Sequence, residues 1–147
     1  MFKRILIPTD GSKVADKAVK AGIRFAREIG AKVVGYYAIE AVQAYYYSEG
    51  AIVDGRLIAE LELQSKAAGE KTLAAMAKLA RAGRVRFDSL CNKPSTAYDG
   101  IIAAARRKRC DAIFMASHGR SGLAKMVMGS VTQKVLVHSK TPVLVYR

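Results

Sequence analysis

Five short apolar runs punctuate the chain, and between them the apolar residues recur at helical spacing. The runs are RILIP (Arg4–Pro8), a second from about Lys32 to Ile39, then RVRFDSL, CDAIFMAS and TPVLVYR. Val14, Ala15, Ala18, Val19, Gly22, Ile23, Ala26 and Ile29 mark the first helix, which Ser12 or Asp10 caps and Gly30 ends. A long helix is predicted from about Arg56 to Ala82, stopped by Gly83. YDGIIAAARRK forms a third, with Ser95 as its N-cap, and a last helix runs from about Ser130 to Ser139. Strands alternating with helices from end to end imply a mainly parallel α/β sheet with helices on both faces and right-handed crossovers. The second run is almost wholly apolar, as a strand covered on both faces must be. The third alternates, Val85, Phe87 and Ser89 against Arg84, Arg86 and Asp88, which places it near a sheet edge.

A chain of 147 residues with 51% hydrophobic residues fits one domain, residues 1–147, with a substantial core. No apolar run approaches the roughly 18 residues that a membrane span needs. The opening MFKRILIPTDGS does not read as a signal peptide, because Ile5 to Pro8 is short and leads straight into a turn. The default expectation is therefore the cytoplasm. Cys91 and Cys110 fall at opposite ends of parallel strands, too far apart for a disulfide, and no Cys/His spacing suggests a metal site. Residues 41–55, with three adjacent tyrosines at 45–47, have no clear period and read as a loop with a turn of helix at most.

The net charge is +13, from 25 Lys and Arg against 12 Asp and Glu. Such an excess attracts anions. Along the chain the basic residues are dispersed, which favours a solvated basic surface over a nucleic-acid footprint. The tightest group, Arg106 to Arg109, ends a helix, where cations complement the dipole.

Ligands of open parallel sheets sit beyond the carboxyl ends of the strands. There the chain offers PTDGS after the first strand, ASHGRSG after the fourth, and Gly129-Ser130 at the start of the last helix. Two readings fit. In one, Gly119 lets an anion approach the backbone, Gly129 and Ser130 present free N–H groups, and Asp10 meets a ribose or a metal ion on the phosphates. In the other, Asp10 is a turn residue, Gly119 and Gly122 shape a loop, and Gly129-Ser130 is a cap. His118 reads as a residue that fixes the loop, and Met115, Met126 and Met128 read as core. Neither a Walker A motif nor G-x-G-x-x-G is present.

The chain resembles the universal stress protein family over essentially its whole length. RILIPTDGS is similar to the family's opening strand and turn, and residues 110–147 to its closing third. Nucleotide-binding members carry G-x2-G-x9-G-[ST]. Ala116 stands here at the first glycine, Gly119 matches the second, and Gly129 and Ser130 match the last pair. A second departure is Asn92-Lys93-Pro94, where members often have Gly-x-Pro. The resemblance implies a Rossmann-like sheet of strand order 3-2-1-4-5 and an adenine nucleotide, typically ATP, otherwise ADP or AMP; Asp10, by its residue type, would meet Mg²⁺ through the bound nucleotide. By position, Pro8, Thr9 and Asp10 would line the adenosine side and Ala38 would contact adenine. Met115, Ala116, His118, Gly119, Arg120, Gly122, Gly129, Ser130 and Val131 would surround ribose and phosphates. It also implies a homodimer through the last strand, Val143 to Tyr146. No catalytic residue emerges. Three functions are thus in play: a nucleotide-binding stress or signalling module, which the resemblance favours, a slow ATPase, and a basic protein contacting nucleic acid or acidic partners.

Overall fold

The computed structural model describes residues 1–39, 55–119 and 128–147. The expectations for Tyr45–Tyr47, Arg120, Gly122 and Met126 lie outside the described residues. The elements run β1 (Arg4–Pro8), α1 (Lys13–Glu28), β2 (Lys32–Ala38), α2 (Gly55–Ala82), β3 (Phe87–Asn92), α3 (Ala97–Arg107), β4 (Ala112–Ala116), α4 (Ser130–His138) and β5 (Val143–Tyr146). All strand pairs are parallel, and the order is β3-β2-β1-β4-β5. Order reverses between β1 and β4, so a crevice opens beyond their carboxyl ends.

Strand residues alternate between two cores, as the two-residue period requires. On one face Ile5, Ile7, Val33, Tyr37 and Phe114 pack with Val19 and Ile23 of α1 and Leu73 and Met76 of α2. On the other, Leu6, Val34, Tyr36, Ile113 and Met115 pack with Ile101 and Ala104 of α3 and Val135 of α4. Gly22 brings α1 close to the sheet, since a Cβ there would come within 2.7 Å of Ile7 Cδ1 and 2.9 Å of Phe114 Cδ1. Val14 and Ile29, expected on the buried stripe of α1, are exposed instead, at the margins of its apolar face.

Three boundaries differ from the sequence reading. β3 begins at Phe87 and not at Arg84, because Arg84 is in the left-handed region (φ 56°) and cannot extend the strand backwards. α3 is capped by Thr96 and not Ser95: Thr96 Oγ1 accepts from the Asp99 N–H at 3.3 Å. At α1 the cap is Ser12, whose Oγ accepts from Ala15 N–H at 3.2 Å, while Asp10 Oδ1 accepts from Ser12 N–H at 2.9 Å to shape the preceding turn. Cys91 and Cys110 are both free thiols. Burial pushes the Cys110 thiol up to about 11. Among the described residues no helix is long and apolar enough to cross a membrane.

Charge is distributed unevenly. Lys3, Arg4, Lys32 and Arg86 stand together where the strands begin, since Arg4 is in register with Lys32 and Arg86 O accepts from Val33 N–H. In parallel α/β topology the helices end at that same edge. Their last turns add Arg27, Arg81, Arg106 and Arg107, and the turns that follow add Arg84, Lys108, Arg109 and Lys140. Few acids offset them: Glu28, exposed in the last turn of α1, Asp88 and Asp111. Asp88 Oδ2 accepts from Lys108 Nζ at 3.0 Å and lies 4.0 Å from Lys32 Nζ. The Lys108 hydrogen bond holds the Asp88 carboxyl below its ordinary range. Asp111 accepts from the backbone N–H groups of Lys3 and Arg4, at 2.8 and 3.1 Å.

Candidate functional site

A cavity of about 480 Å³ lies beyond the carboxyl ends of β1 and β4. That is within the range of small-molecule and cofactor sites. Eleven of the residues singled out from the sequence line it: Pro8, Thr9, Asp10, Ala38, Met115, Ala116, His118, Gly119, Gly129, Ser130 and Val131. They arrive from four elements and the turns between them.

The β1 turn is held in place by its own side chains. Thr9 N–H donates to Tyr36 O at 2.9 Å, and Thr9 Oγ1 accepts from Gly11 N–H at 3.1 Å. Gly11 takes a positive φ of 75°, which aims the chain into α1. Asp10 thereby projects toward the start of the β4 loop. A Cβ on Gly119 would come within 2.7 Å of Asp10 Oδ2, so the carboxylate stands directly over a stretch of backbone with no side chain.

The β4 end is tied to α4 and to β5. Ser117 O accepts from Gly129 N–H at 2.8 Å, so this N–H, expected to be free, is taken by the β4 end and the free N–H groups begin at Ser130; Thr132 Oγ1 donates to Ala116 O at 3.0 Å from a buried position. Ser117 N–H donates to Tyr146 O at 2.9 Å. Ser117 Oγ lies 2.9 Å from His118 Nδ1. These bonds seat the first turn of α4 against the cavity. The N-cap of α4 is Gly129, which has no side chain to accept from the first-turn N–H groups, unlike Ser12 and Thr96 at the other capped helices. The cavity therefore faces an uncapped helix start, with its positive dipole end and the exposed Ser130 hydroxyl.

The apolar half of the lining includes residues that sequence reasoning passed over. Ala15, Tyr36, Ala97, Ile101 and Thr132 complete the wall. Tyr36 forms part of the floor at 1% exposure, and its hydroxyl donates to Asn92 Oδ1 at 2.8 Å. Burial, followed by the Cys91 thiol, pushes its phenol up to about 12. Met115 serves both the core and the cavity, whereas Met128, expected in the core, is only half-buried and offers its carbonyl to Gln133 Nε2. Among the described residues no group of three His, Cys, Asp or Glu could by itself hold a metal ion. Asp10 contributes a single carboxylate, which fits a Mg²⁺ ion whose other ligands are phosphate oxygens and water.

The model of the universal stress protein family matches residues 1–147. The chain belongs to the universal stress protein family. A universal stress protein of Methanocaldococcus jannaschii is 31% identical over 147 residues, spanning 100% of this chain and 83% of that protein. The universal stress protein YxiE of Bacillus subtilis is 31% identical over 149 residues, spanning 100% of both. The solved structure of the protein MJ0577 superposes with a TM-score of 0.82 at 25% identity, over 99% of this chain and 95% of that one. Two further universal stress proteins share the fold. One, in complex with cAMP, has a TM-score of 0.69 at 21% identity, over 99% and 97% of the two chains. The other, from Archaeoglobus fulgidus in complex with dAMP, has a TM-score of 0.63 at 18% identity, over 99% and 98%.

Proposed function

We propose that this universal stress protein binds an adenine nucleotide, ATP in the first instance, in the cavity between β1 and α4. The observation that carries the reading is the uncapped start of α4 facing a cavity whose remaining lining is mainly apolar, with Asp10 and His118 among its polar residues. Phosphates would take the first-turn N–H groups of α4 at Ser130 and Val131, since Ser117 O holds the Gly129 N–H, and adenosine the surface of Pro8, Thr9 and Ala38. Asp10 would meet the ribose or a phosphate-bound Mg²⁺. Ala116, in place of the first motif glycine, lies on the regular strand β4, where a methyl group needs no special backbone. The cAMP and dAMP complexes of relatives support an adenine nucleotide as the class of ligand. The protein acts as a dimeric stress or signalling module in the cytoplasm, with β5 as the joining edge.

The test is to denature freshly purified protein, identify any released nucleotide by mass spectrometry, and titrate the emptied protein with ATP and Mg²⁺. A stoichiometric adenine nucleotide or saturable micromolar binding is expected. Neither would mean that the β4 loop and the α4 start are only a turn and a helix end.

A further inference from the structure

We propose that the sheet edge where the strands begin, opposite the cavity, is a docking surface for the phosphate backbone of duplex DNA. The first ground is the convergence of charge described above. Basic residues scattered through the sequence meet there, and the carboxylates of Asp88 and Asp111 are already engaged by Lys108, Lys32 and backbone N–H groups. What faces outward is mostly guanidinium, whose planar fork suits phosphate oxygens.

The second ground is conformational and independent of charge. Arg84 (φ 56°) and Arg109 (φ 52°) both occupy the left-handed region, each in the turn that follows a helix. In the turn after α1 that conformation is taken by Gly30, with φ 70°. Glycine fills such a position without strain, and arginine does not. The chain thus holds two exposed arginines where glycine is the easier residue. Neither forms an ion pair among the described residues. Strain kept at a position points to a use for the side chain it carries.

A duplex fits better than a single strand. Phe2, Phe25 and Phe87 at this end are partly buried against the core, so none stands clear as a platform for unstacked bases. A lipid surface fits less well, because the edge is built of turns and helix ends, and among the described residues no amphipathic helix lies flat along it. Because the contacts are to phosphate, binding should be independent of base sequence and steeply salt-dependent.

The experiment compares the full chain with R84G/R109G, using a random-sequence DNA duplex in fluorescence anisotropy across a salt series. Wild type should bind at low salt, with log K falling linearly against log salt. The double variant should bind more weakly, with the slope shallower by roughly 0.9 for each phosphate that the missing guanidinium groups would have neutralised. Its Tm should be equal or higher, because glycine relieves both backbones, and its ATP affinity should be unchanged. No wild-type binding at low salt, an unaltered slope in the variant, or preference for phosphatidylserine vesicles over duplex would each overturn the proposal. Failure of ATP to bind would not touch it, since the two surfaces lie at opposite ends of the sheet.

Discussion

Gly119 and Gly100 each owe their identity to a neighbouring side chain. A side chain at Gly119 would have to share space with the Asp10 carboxylate, 2.7 Å from the Cβ position. Gly119→Val should therefore lower ATP affinity at least about tenfold, or about 1.4 kcal/mol, with the far-UV circular dichroism unchanged. Retained affinity in a titration would show that the phosphates sit elsewhere. At Gly100 a Cβ would land on the Tyr36 hydroxyl and lie 2.7 Å from Pro94 Cγ. Gly100→Ala should cost about 1–3 kcal/mol in urea unfolding. Tyr36→Phe in the same chain should recover part of that loss, because the missing oxygen is the nearest obstacle. A double-mutant cycle with no coupling between the two sites would contradict this packing. Tyr36 also sets an alkaline limit. Its pKa of about 12 lies above the ordinary 10.0, so the folded chain holds this proton more tightly than the unfolded chain. Its contribution is complete below pH 10 and is lost as pH rises toward about 12. The alkaline fall in Tm should be smaller in Tyr36→Phe than in wild type.

At the scale of elements, the helix starts divide by what they face. α1 and α3 begin on Ser12 and Thr96, whose oxygens accept first-turn N–H groups, whereas α4 begins on Gly129 beside the cavity. Ser12→Ala should cost about 1 kcal/mol of stability, seen as a lowered Tm, with no effect on ligand affinity beyond it. The cap of α3 was legible in principle. Thr96 and Asp99 have capping-box spacing, and Thr96 Oγ1 donates to Asp99 Oδ2 at 2.7 Å, a signal that Ser95 lacks. The start of β3 was not legible, because alternation continues through Arg84 and Arg86 although the backbone turns at Arg84. The cavity shows the same division. Loop and cap residues announce themselves by type, so Asp10, Gly119 and Gly129 could be named from the sequence. Tyr36, Ala97, Ile101 and Thr132 are ordinary apolar or helical residues whose place on the wall depends on how the elements pack.

For the whole molecule, alternation of strand and helix dictated a parallel sheet, but strand order came from family resemblance, since no periodicity encodes which strands are neighbours. The gathering of charge at one edge was hidden for a related reason. Successive helix ends lie far apart in sequence and side by side in the fold. The lateral edge formed by β5 carries its own prediction. Pro142 and Tyr146 turn their carbonyls toward β4, accepting from Ile113 and Ser117 at 2.8 and 2.9 Å. By the two-residue period, Val143 and Val145 turn their N–H and C=O groups outward. Val145→Pro thus spares every bond to β4 and removes a donor from the open edge. Sedimentation should show dimer for wild type and monomer for the variant, and a dimeric variant would place the joining surface elsewhere. Ser117 gives this a consequence, because its carbonyl holds Gly129 at the cavity while its N–H holds Tyr146 at the edge. A load applied at either end is borne by the same residue. If nucleotide tightens the pairing of two edges by some factor, pairing must tighten nucleotide by that factor, so diluting the protein to monomer at fixed nucleotide would weaken binding by that factor.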